Sequence, residues 1–421
     1  MRTLSIAWEL RKRNCRVQYL LADETSLAWL RRLERMHSGK EAEAAEGKAV
    51  EGKAAEERTA EEKASEEEKS EAGMAEAGTG GEKFPAAVLG IPYGNPKAEL
   101  PLLEELLQKA RHPQTGRSNR ASQTDPANPA KRVYGESCRQ ESLPLPDWIL
   151  VDSYAVDELW LRSLRSMGVP TVYIDDEMRF IPPAELVVNY DPDAEVLRSH
   201  YGFGGDDASL RERQHTAERE AAQTAKTLPA DFLLGPSYAP LRPQFTQITP
   251  VVRTDVKRVF LSTGGTDPYG MAGVLEKLVQ SLSLEAVVMA PGYPCLTRVA
   301  EAMQSCDLAV AAAGTTLYEL CAAGVPTLAY AMADNQTVFA GAMEAAGVMR
   351  CLGDIRGQRE QILCATVTEW IKERINKKEG YALRCRESKR MHELTDGRGA
   401  CRIADALLQI TAQKGNRDGR K

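Results

Sequence analysis

The sequence predicts an α/β protein with two Rossmann-like domains that face a cleft. Short runs of apolar residues alternate with helical patterns, which is typical of parallel strands covered on both faces. The alternation occurs twice, with a polar linker before residue 231. A chain of 421 residues with 43% apolar content is too long for one ordinary domain and apolar enough to fill buried cores. Two such units in one chain make a cleft between them the default binding site.

The N-terminal domain is predicted to span residues 1–225. It opens on an amphipathic helix with Leu4, Ala7 and Leu10 on one face, and a strand around Tyr19 follows. Later strands are predicted at 147–154, 170–177 and 185–190, and helices at 28–37, 101–111 and 156–167. Because a Rossmann-like domain normally opens on a strand, we expect that the first strand is missing.

Two low-complexity inserts interrupt this domain, at about 38–84 and 112–140. Ser38 to Lys83 holds fourteen Glu against six Lys and one Arg, so this segment alone carries a charge of −7. The net charge of the chain is −6, which leaves +1 for all other residues. That balance offers no basic surface for nucleic acid. We expect a solvated insert, with a docking arm for a basic partner as the alternative.

The C-terminal domain is predicted over residues 226–400, and a helix with a polar tail over 401–421. The passage DFLLGPSYAPLRPQF (231–245) contains one glycine and three prolines, so we expect a fixed, extended connection rather than a helix. Strands are then predicted at 257–265, 285–292, 306–314 and 326–332, and helices at 270–282, 296–304, 315–324 and 335–347.

Cysteine usage and hydropathy predict the location of the protein. Nine cysteines without a C-x-x-C pair indicate reduced thiols. The first residues are charged and no run of 18 apolar residues occurs, so neither a signal peptide nor a membrane span is expected. We therefore expect a cytoplasmic protein without stable membrane insertion. The oligomeric state has no signal in the sequence.

The stretch LSTGGTDPYG places Gly264 and Gly265 between an apolar strand and a helix. Glycine lets the backbone approach a ligand, and a helix N-terminus offers N–H donors to phosphate. A plain strand-to-helix turn also uses Gly and Asp, so both interpretations stay open. The stretch lacks the third glycine of a dinucleotide fingerprint and the lysine of a P-loop.

A second turn of this kind lies in AAAGTTLYELCAAGVPTLAYAMADNQ (311–336). Gly314 ends a strand, and Thr315 and Thr316 open a helix whose free N–H groups suit a diphosphate. Glu319 lies one turn into that helix. From spacing alone it is either the glutamate of a capping box with Thr316 or a bidentate acceptor for the two hydroxyls of a ribose.

These segments resemble the nucleotide-binding element of the GT-B superfamily, the two-domain glycosyltransferases that include the peptidoglycan transferase acting with UDP-GlcNAc. More narrowly, LLGPSYAPLRPQF, STGGTDP, VDSY, YIDDE and ADNQ resemble the UDP-2,4-diacetamido-2,4,6-trideoxy-β-L-altropyranose hydrolases of pseudaminic acid biosynthesis. The likeness covers the chain apart from the inserts and the tail, and GPSYAPLRPQF is its most family-specific piece. The resemblance implies a GT-B-like fold, a UDP-sugar as substrate, and neither a cofactor nor a metal.

The resemblance also implies a set of substrate-binding residues in the C-terminal domain. Those near the diphosphate and the sugar would be Gly264, Gly265, Thr266 and Asp267. Gly314, Thr315 and Thr316 would bind phosphate, Glu319 the ribose, and Asn335 with Gln336 the phosphate or sugar side.

Asp152 and Tyr154 of VDSY are the candidate catalytic residues, with sugar contact as their expected role. They end a strand at its carboxyl edge, where open α/β sheets bind ligands. Strand-end capping and packing of the tyrosine ring are the alternative. Asp175 and Asp176 are adjacent on a predicted strand, so their side chains face opposite sides and at least one is expected to be structural.

The resemblance implies hydrolysis at the anomeric carbon of the sugar, in which water attacks C1 and UDP leaves. The family's water-activating histidine lies in an N-terminal G-x-G-H-x-x-R loop, whose final residue would align with Arg2. None of the five histidines (His37, His112, His200, His215, His392) lies in such a loop, so we expect the catalytic loop upstream of Met1. The alternatives are a GT-B glycosyltransferase that uses a UDP-sugar and a catalytically impaired UDP-sugar-binding protein.

Overall fold

The computed structural model describes residues 2–21, 30, 86–88, 96–111, 145–202, 231–294 and 298–418. The chain divides into two compact units, one made of Met1–Arg16, Ile91–Thr124 and Gln140–Lys421 and the other of Val17–Gly90 and Asp125–Arg139. In the smaller unit, strand β1 (Tyr19–Leu21) pairs in parallel with β2 (Ala86–Val88). The predicted inserts at 38–84 and 112–140 and most of the predicted helix at 28–37 lie outside the described residues.

The larger unit begins with helix α1 (Arg2–Lys12), which confirms the predicted opening helix. Its first sheet has four parallel strands in the order β3-β4-β5-β6. These strands are β3 (Ile149–Val151), β4 (Thr171–Ile174), β5 (Leu186–Asn189) and β6 (Asp231–Leu234), with helices α2 (Pro96–Arg111), α3 (Glu158–Ser166) and α4 (Ala194–Tyr201). Strands β3, β4 and β5 lie where the sequence predicts strands but end earlier, so the polar residues that follow them are in loops. Strand β6 lies in the passage for which the sequence predicts an extended connection.

The second sheet has five parallel strands in the order β11-β10-β9-β7-β8. Its strands are β7 (Arg258–Ser262), β8 (Glu285–Met289), β9 (Leu308–Ala312), β10 (Thr327–Ala331) and β11 (Arg350–Asp354). Its helices are α5 (Met271–Ser281), α6 (Val299–Ser305), α7 (Thr316–Ala323), α8 (Asp334–Ala345), α9 (Glu360–Ile375), α10 (Glu379–Leu394) and α11 (Gly399–Asp418).

Both sheets are buried on both faces by apolar side chains. In β4, Val172 and Ile174 belong to a core cluster that continues to Phe260 of β7, whereas Tyr173 packs with Leu161 of α3 on the opposite face. This alternation follows from the period of two in a strand. Two parallel sheets, each covered by helices, confirm the predicted α/β class with two Rossmann-like halves.

The structure differs from the sequence prediction at three places. Strand β6 pairs with β5, so the first sheet extends beyond residue 225. Strand β11 is an additional edge strand that the apolar pattern does not predict, because Arg350, Gly353 and Asp354 interrupt it. The passage after β6 contains two short 3₁₀ turns, Pro236–Tyr238 and Pro243–Phe245, each with proline as its first residue.

The described residues also bear on membrane and metal binding. None of their helices combines the length and the apolar character needed to cross a bilayer. Within the same ranges, no three His, Cys, Asp or Glu side chains are grouped so that they could hold a metal ion. The described cysteines are free thiols, of which Cys306, Cys321 and Cys401 are buried.

Candidate functional site

Three loops with candidate residues lie side by side at the carboxyl edge of the second sheet. They follow β7, β9 and β10, and β9 is the direct neighbour of the other two strands. From β7 the chain passes to β8 on one side and then returns to β9 on the other side. The crevice between the ends of β7 and β9 is therefore the switch point where open α/β sheets bind ligands.

The loop after β7 leaves its backbone accessible. Gly264 has a left-handed backbone with φ of +78°, and the space that a Cβ atom would occupy at Gly264 or Gly265 has no heavy atom within 4 Å. Thr266 is exposed as well. The hydroxyl of Thr263, just before the glycines, is buried without a hydrogen-bond partner in the described part of the chain. A buried polar atom of this kind normally has a partner, such as a water or a ligand.

Asp267 has a structural task in the same loop. Its Oδ1 accepts a hydrogen bond from the backbone N–H of Met271 at 2.8 Å, and its Oδ2 accepts one from that of Ala272 at 3.0 Å. The carboxylate thus caps the N-terminus of α5. The predicted contact of Asp267 with substrate stays a prediction, and the cap holds the glycine loop in place.

The loop after β9 leads into α7 without a side-chain cap. Thr315 is the N-cap residue and makes no capping hydrogen bond through its side chain, while Gly314 has open space at its Cβ position. The capping box with Thr316 is wrong, because the carboxylate of Glu319 does not reach back along the helix. It is bound instead by Arg242, which lies 77 residues earlier in the chain.

Arg242 holds Glu319 by a bidentate ion pair. Arg242 Nε and Nη2 each donate to one carboxylate oxygen of Glu319 at 2.6 Å. Both side chains are nearly buried, with exposed fractions of 13% and 8%. A carboxylate has about four lone-pair sites, so each oxygen keeps acceptor capacity for a further donor. The pair fixes the orientation of the Glu319 carboxylate beside the open loop after β9.

The loop after β10 contributes the start of α8. Asn335 is exposed, and Gln336 is half-buried. Gln336 Oε1 accepts a hydrogen bond from the backbone N–H of Met332 at 2.8 Å, so its amide closes the turn between β10 and α8. The two residues lie at the same sheet edge as the glycine loops, and their contact with phosphate or sugar stays a prediction.

A second polar group surrounds Arg2 at the carboxyl edge of the first sheet; we name Arg2, Asp152, Tyr154, Asp176 and Tyr190 the Arg2 cluster. Arg2 donates to both oxygens of Asp152, through Nη2 and through Nε, the latter at 3.3 Å. It also donates through Nη1 to Asp176 and, at 2.6 Å, to Tyr190 Oη. Tyr154 donates its hydroxyl to Asp176 Oδ2 at 2.8 Å. The structure therefore brings together the two candidate catalytic residues.

The neighbouring carboxylates Asp175 and Asp176 have different roles, although both lie in the loop after β4 and not on the predicted strand. Asp175 is buried, and its Oδ2 accepts the hydroxyl of Tyr201 at 2.6 Å. Its Oδ1 accepts the backbone N–H of Met178 at 2.9 Å, so Asp175 is structural. Burial raises the pKa of Asp175, although both hydrogen bonds act to lower it.

The two tyrosines of the Arg2 cluster have raised pKa values and are neutral at neutral pH. Burial raises the pKa of Tyr154 to about 12, and the carboxylate of Asp176 adds to the rise while Arg2 opposes it. Burial also raises the pKa of Tyr190. Burial acts to lower the pKa of Arg2, but Tyr190, Asp152 and Asp176 outweigh it and raise that pKa. With one guanidinium and two carboxylates, the cluster has a net charge of about −1.

Tyr190 connects the Arg2 cluster to the second sheet. Its backbone carbonyl accepts the hydroxyl of Tyr318 at 2.7 Å, and the two rings pack edge to face with centroids 5.6 Å apart. Tyr318 immediately precedes Glu319 on α7. Tyr190 and Tyr318 thus link the carboxyl edges of the two sheets, whereas the predicted cleft stays a prediction.

We expect the Tyr318→Phe substitution to lower the free energy of unfolding by about 1–2 kcal/mol, because it leaves the buried carbonyl of Tyr190 without its donor. Urea denaturation would measure the change. The matched control is Tyr293→Phe. It also removes one tyrosine hydroxyl, but that hydroxyl donates to the half-exposed carboxylate of Glu276. Equal stability of the two variants would contradict a structural contribution of the Tyr318 hydroxyl.

The histidines that the structure describes lie outside both groups. His200 lies on α4, where its Nε2 is 3.3 Å from the carbonyl oxygen of Phe180. His392 lies on α10, and its Nδ1 is 2.9 Å from the carbonyl oxygen of Ala322. This contact joins α10 to α7. His37, His112 and His215 lie outside the described residues.

Comparison with known proteins finds similarity among solved structures alone. No family model matches the sequence, and no curated protein does. MurG of Acinetobacter baumannii is 12% identical, with 97% of this chain and 95% of that chain covered and a TM-score of 0.49. Glycosyltransferase SsfS6 of Streptomyces sp. SF2575, complexed with thymidine diphosphate, is 15% identical, with 97% and 96% covered and a TM-score of 0.43. Likenesses at this level do not bear on the activity of this chain.

Three residues of the site are missing from the candidates that sequence patterns supply. They are Arg2, Tyr190 and Arg242. Arg2 and Arg242 contact candidates from far along the chain, and Tyr190 contacts Arg2. Arg2 and Arg242 lie in segments that the family resemblance singles out, the aligned loop end and LRPQF. Tyr190 follows β5 directly. This position at the end of a strand is the only local feature of the sequence that indicates a place in the site.

Proposed function

We propose that this chain binds a UDP-linked sugar at the carboxyl edges of its two sheets and transfers the sugar from UDP to an acceptor, as a GT-B glycosyltransferase. The single observation that carries the proposal is the switch point between β7 and β9, flanked by open glycine turns on both sides. Helix N-termini and accessible backbone N–H groups at such a crevice suit a diphosphate.

Ribose recognition by Glu319 supports the choice of nucleotide. Arg242 orients the carboxylate and leaves acceptor capacity on both oxygens, which matches two adjacent hydroxyls. Uracil recognition itself follows from the family resemblance and is part of the proposal. The net negative charge of the Arg2 cluster disfavours phosphate there, so the sugar and the acceptor are assigned to the first-sheet edge.

Transfer to an acceptor is supported by the accessibility of the Arg2 cluster. Tyr154 is 53% exposed, and Arg2 lies over its ring with the guanidinium carbon 5.6 Å from the centroid. An exposed aromatic ring beside carboxylates suits stacking and hydrogen bonding to a polyhydroxylated ligand. This arrangement offers a place for a second substrate.

Hydrolysis is the second candidate, and the position of Arg242 favours it. Arg242 belongs to GPSYAPLRPQF, the piece that most specifically resembles the hydrolases of UDP-2,4-diacetamido-2,4,6-trideoxy-β-L-altropyranose in pseudaminic acid biosynthesis. Its ion pair with Glu319 puts that piece against the proposed ribose site. Both candidates break the same bond, between C1 of the sugar and the β-phosphate of UDP.

The decisive experiment incubates the purified chain with this UDP-linked diacetamido sugar or with UDP-GlcNAc, each with and without a panel of N-acetylhexosamine acceptors. A glycosyltransferase releases UDP in an acceptor-dependent way and forms a disaccharide. A hydrolase releases UDP and free sugar in equal amounts without acceptor. Binding of UDP without any release would identify a nucleotide-sugar-binding protein and overturn both catalytic proposals.

The ribose role of Glu319 can be tested without any mutation. We expect 2′-deoxy-UDP to bind about 10–100-fold more weakly than UDP in isothermal titration, because one hydrogen bond to a charged acceptor is lost. Glu319→Gln should reduce this discrimination, since the amide still accepts from Arg242 but presents one acceptor fewer to the ligand. Equal affinities of wild type for the two nucleotides would exclude the ribose contact.

A further inference from the structure

The two carboxylates of the Arg2 cluster are held in different ways. Asp152 has both oxygens bound by Arg2, one by Nη2 and one by Nε. Asp176 uses Oδ2 alone, which accepts from Arg2 Nη1 and from the hydroxyl of Tyr154. Among the described residues, no donor contacts its Oδ1. Asp176 therefore has one carboxylate oxygen without a donor in the described part of the chain, whereas each oxygen of Asp152 already accepts from Arg2.

Asp176 is also the more exposed of the two carboxylates. The side chain of Asp176 is 26% exposed, compared with 16% for Asp152 and 16% for Arg2. Tyr154 fixes Asp176 from one side by its hydroxyl and is itself exposed. Asp176 is thus the more exposed carboxylate of the cluster, with Oδ2 held by Arg2 and Tyr154.

The chemistry of the surrounding groups leaves Asp176 as the proton acceptor of the cluster. Arg2 stays protonated, and it has donors only. Tyr154 and Tyr190 are neutral phenols whose raised pKa values make them donors at neutral pH. The other groups that interact electrostatically with Asp176 are Asp175, Tyr173 and Tyr318, each buried. A carboxylate with a free oxygen is the usual base that activates an attacking hydroxyl at a sugar.

We infer that Asp176, through its Oδ1 atom, accepts the proton of the acceptor hydroxyl that attacks the sugar, with Arg2 and Asp152 as positioning residues. The inference rests on the proposed function, the transfer of the sugar to an acceptor. The O–H bond of the acceptor breaks and its proton passes to Asp176. The acceptor oxygen bonds to C1, and the bond from C1 to the phosphate oxygen breaks, so that UDP leaves with the electron pair. The exposed carboxyl then returns the proton to water.

The test compares Asp176→Asn with Asp152→Asn in turnover, UDP binding and pH profile. Asp176→Asn should lower kcat by about 10²–10⁴-fold, the usual contribution of a general base, and remove the decline of kcat at acidic pH. UDP affinity should be unchanged, because the nucleotide is assigned to the second sheet. Asp152→Asn should keep the acidic decline. Thermal melting of both variants checks that they are folded.

A rescue experiment separates catalysis from positioning. Sodium formate should restore part of the activity of Asp176→Ala, because a small carboxylate can replace the missing base, and should not restore Asp152→Ala. If Asp176→Asn keeps wild-type kcat, or if it keeps the acidic decline, the assignment to Asp176 is overturned while the proposed function stands. A wild type that binds UDP but releases none overturns the proposed function, and with it the assignment.

Discussion

Replacing Arg242 with methionine is expected to destabilise the folded chain by about 3–5 kcal/mol, which is the usual cost of removing one partner from a buried ion pair. Glu319 would remain as an unpaired carboxylate with an exposed fraction of only 8%. Burying such a charge without a counter-ion is costly, because the protein interior solvates it poorly. The same change should abolish measurable binding of UDP, since Glu319 loses its fixed orientation. Denaturant unfolding and isothermal titration would measure the two effects.

The double variant Arg242→Met with Glu319→Leu separates stability from ligand binding. Removing both charges leaves no buried unpaired group, so much of the lost stability should return. UDP binding should stay lost, because the acceptor for the ribose hydroxyls is gone. The matched control is Arg258→Met at the solvent-exposed pair with Glu285, which should leave the unfolding midpoint close to wild type. Wild-type stability of the single Arg242 variant would contradict a structural role of the ion pair.

Local sequence patterns were sufficient to predict which glycine loops follow strands of the second sheet. The apolar runs that end at Ser262 and Ala312 are each followed by glycine, and parallel strands place their carboxyl ends at one edge. The prediction that at least one of Asp175 and Asp176 is structural is met by Asp175, although β4 ends at Ile174 before both of them. What the pattern did not contain is the strand order, and hence the switch point between β7 and β9.

The partners of the charged residues could not be predicted, because they come from distant segments. Arg2 contacts Asp152 across 150 residues and Glu319 contacts Arg242 across 77. A single sequence displays local spacings only, so Thr316 and Glu319 suggested a capping box that the structure does not contain. The same limitation hid β11, whose burial depends on pairing with β10 rather than on its own residues.

The second large effect is expected at Gly397, between α10 and α11. Gly397→Ala should destabilise the chain by about 3 kcal/mol or more, as the sum of two causes. Its φ of +79° costs about 1–2 kcal/mol for an L-residue, and a Cβ atom would lie 2.1 Å from the carbonyl oxygen of Phe245. Relieving such an overlap by shifting backbone typically costs about 1–3 kcal/mol more. The displaced segment carries Arg242, so UDP affinity should fall together with stability.

Alanine substitutions at two other glycines measure separately the backbone cost of a positive φ and the cost of the Cβ overlap. Gly357 has a φ of +75° with open space around it, so Gly357→Ala should show the backbone cost alone. Gly399 has no left-handed φ, but its Cβ would lie 2.1 Å from the carbonyl oxygen of Ala239, so Gly399→Ala should show the overlap alone. If the loss at Gly397 approximates the sum of these two losses in denaturant unfolding, the close approach of the α10–α11 turn to residues 239–245 is established. If Gly397→Ala lowers the free energy of unfolding no more than Gly357→Ala does, residues 239–245 move aside without cost. UDP affinity should then be unchanged in both the Gly397 and the Gly399 variants.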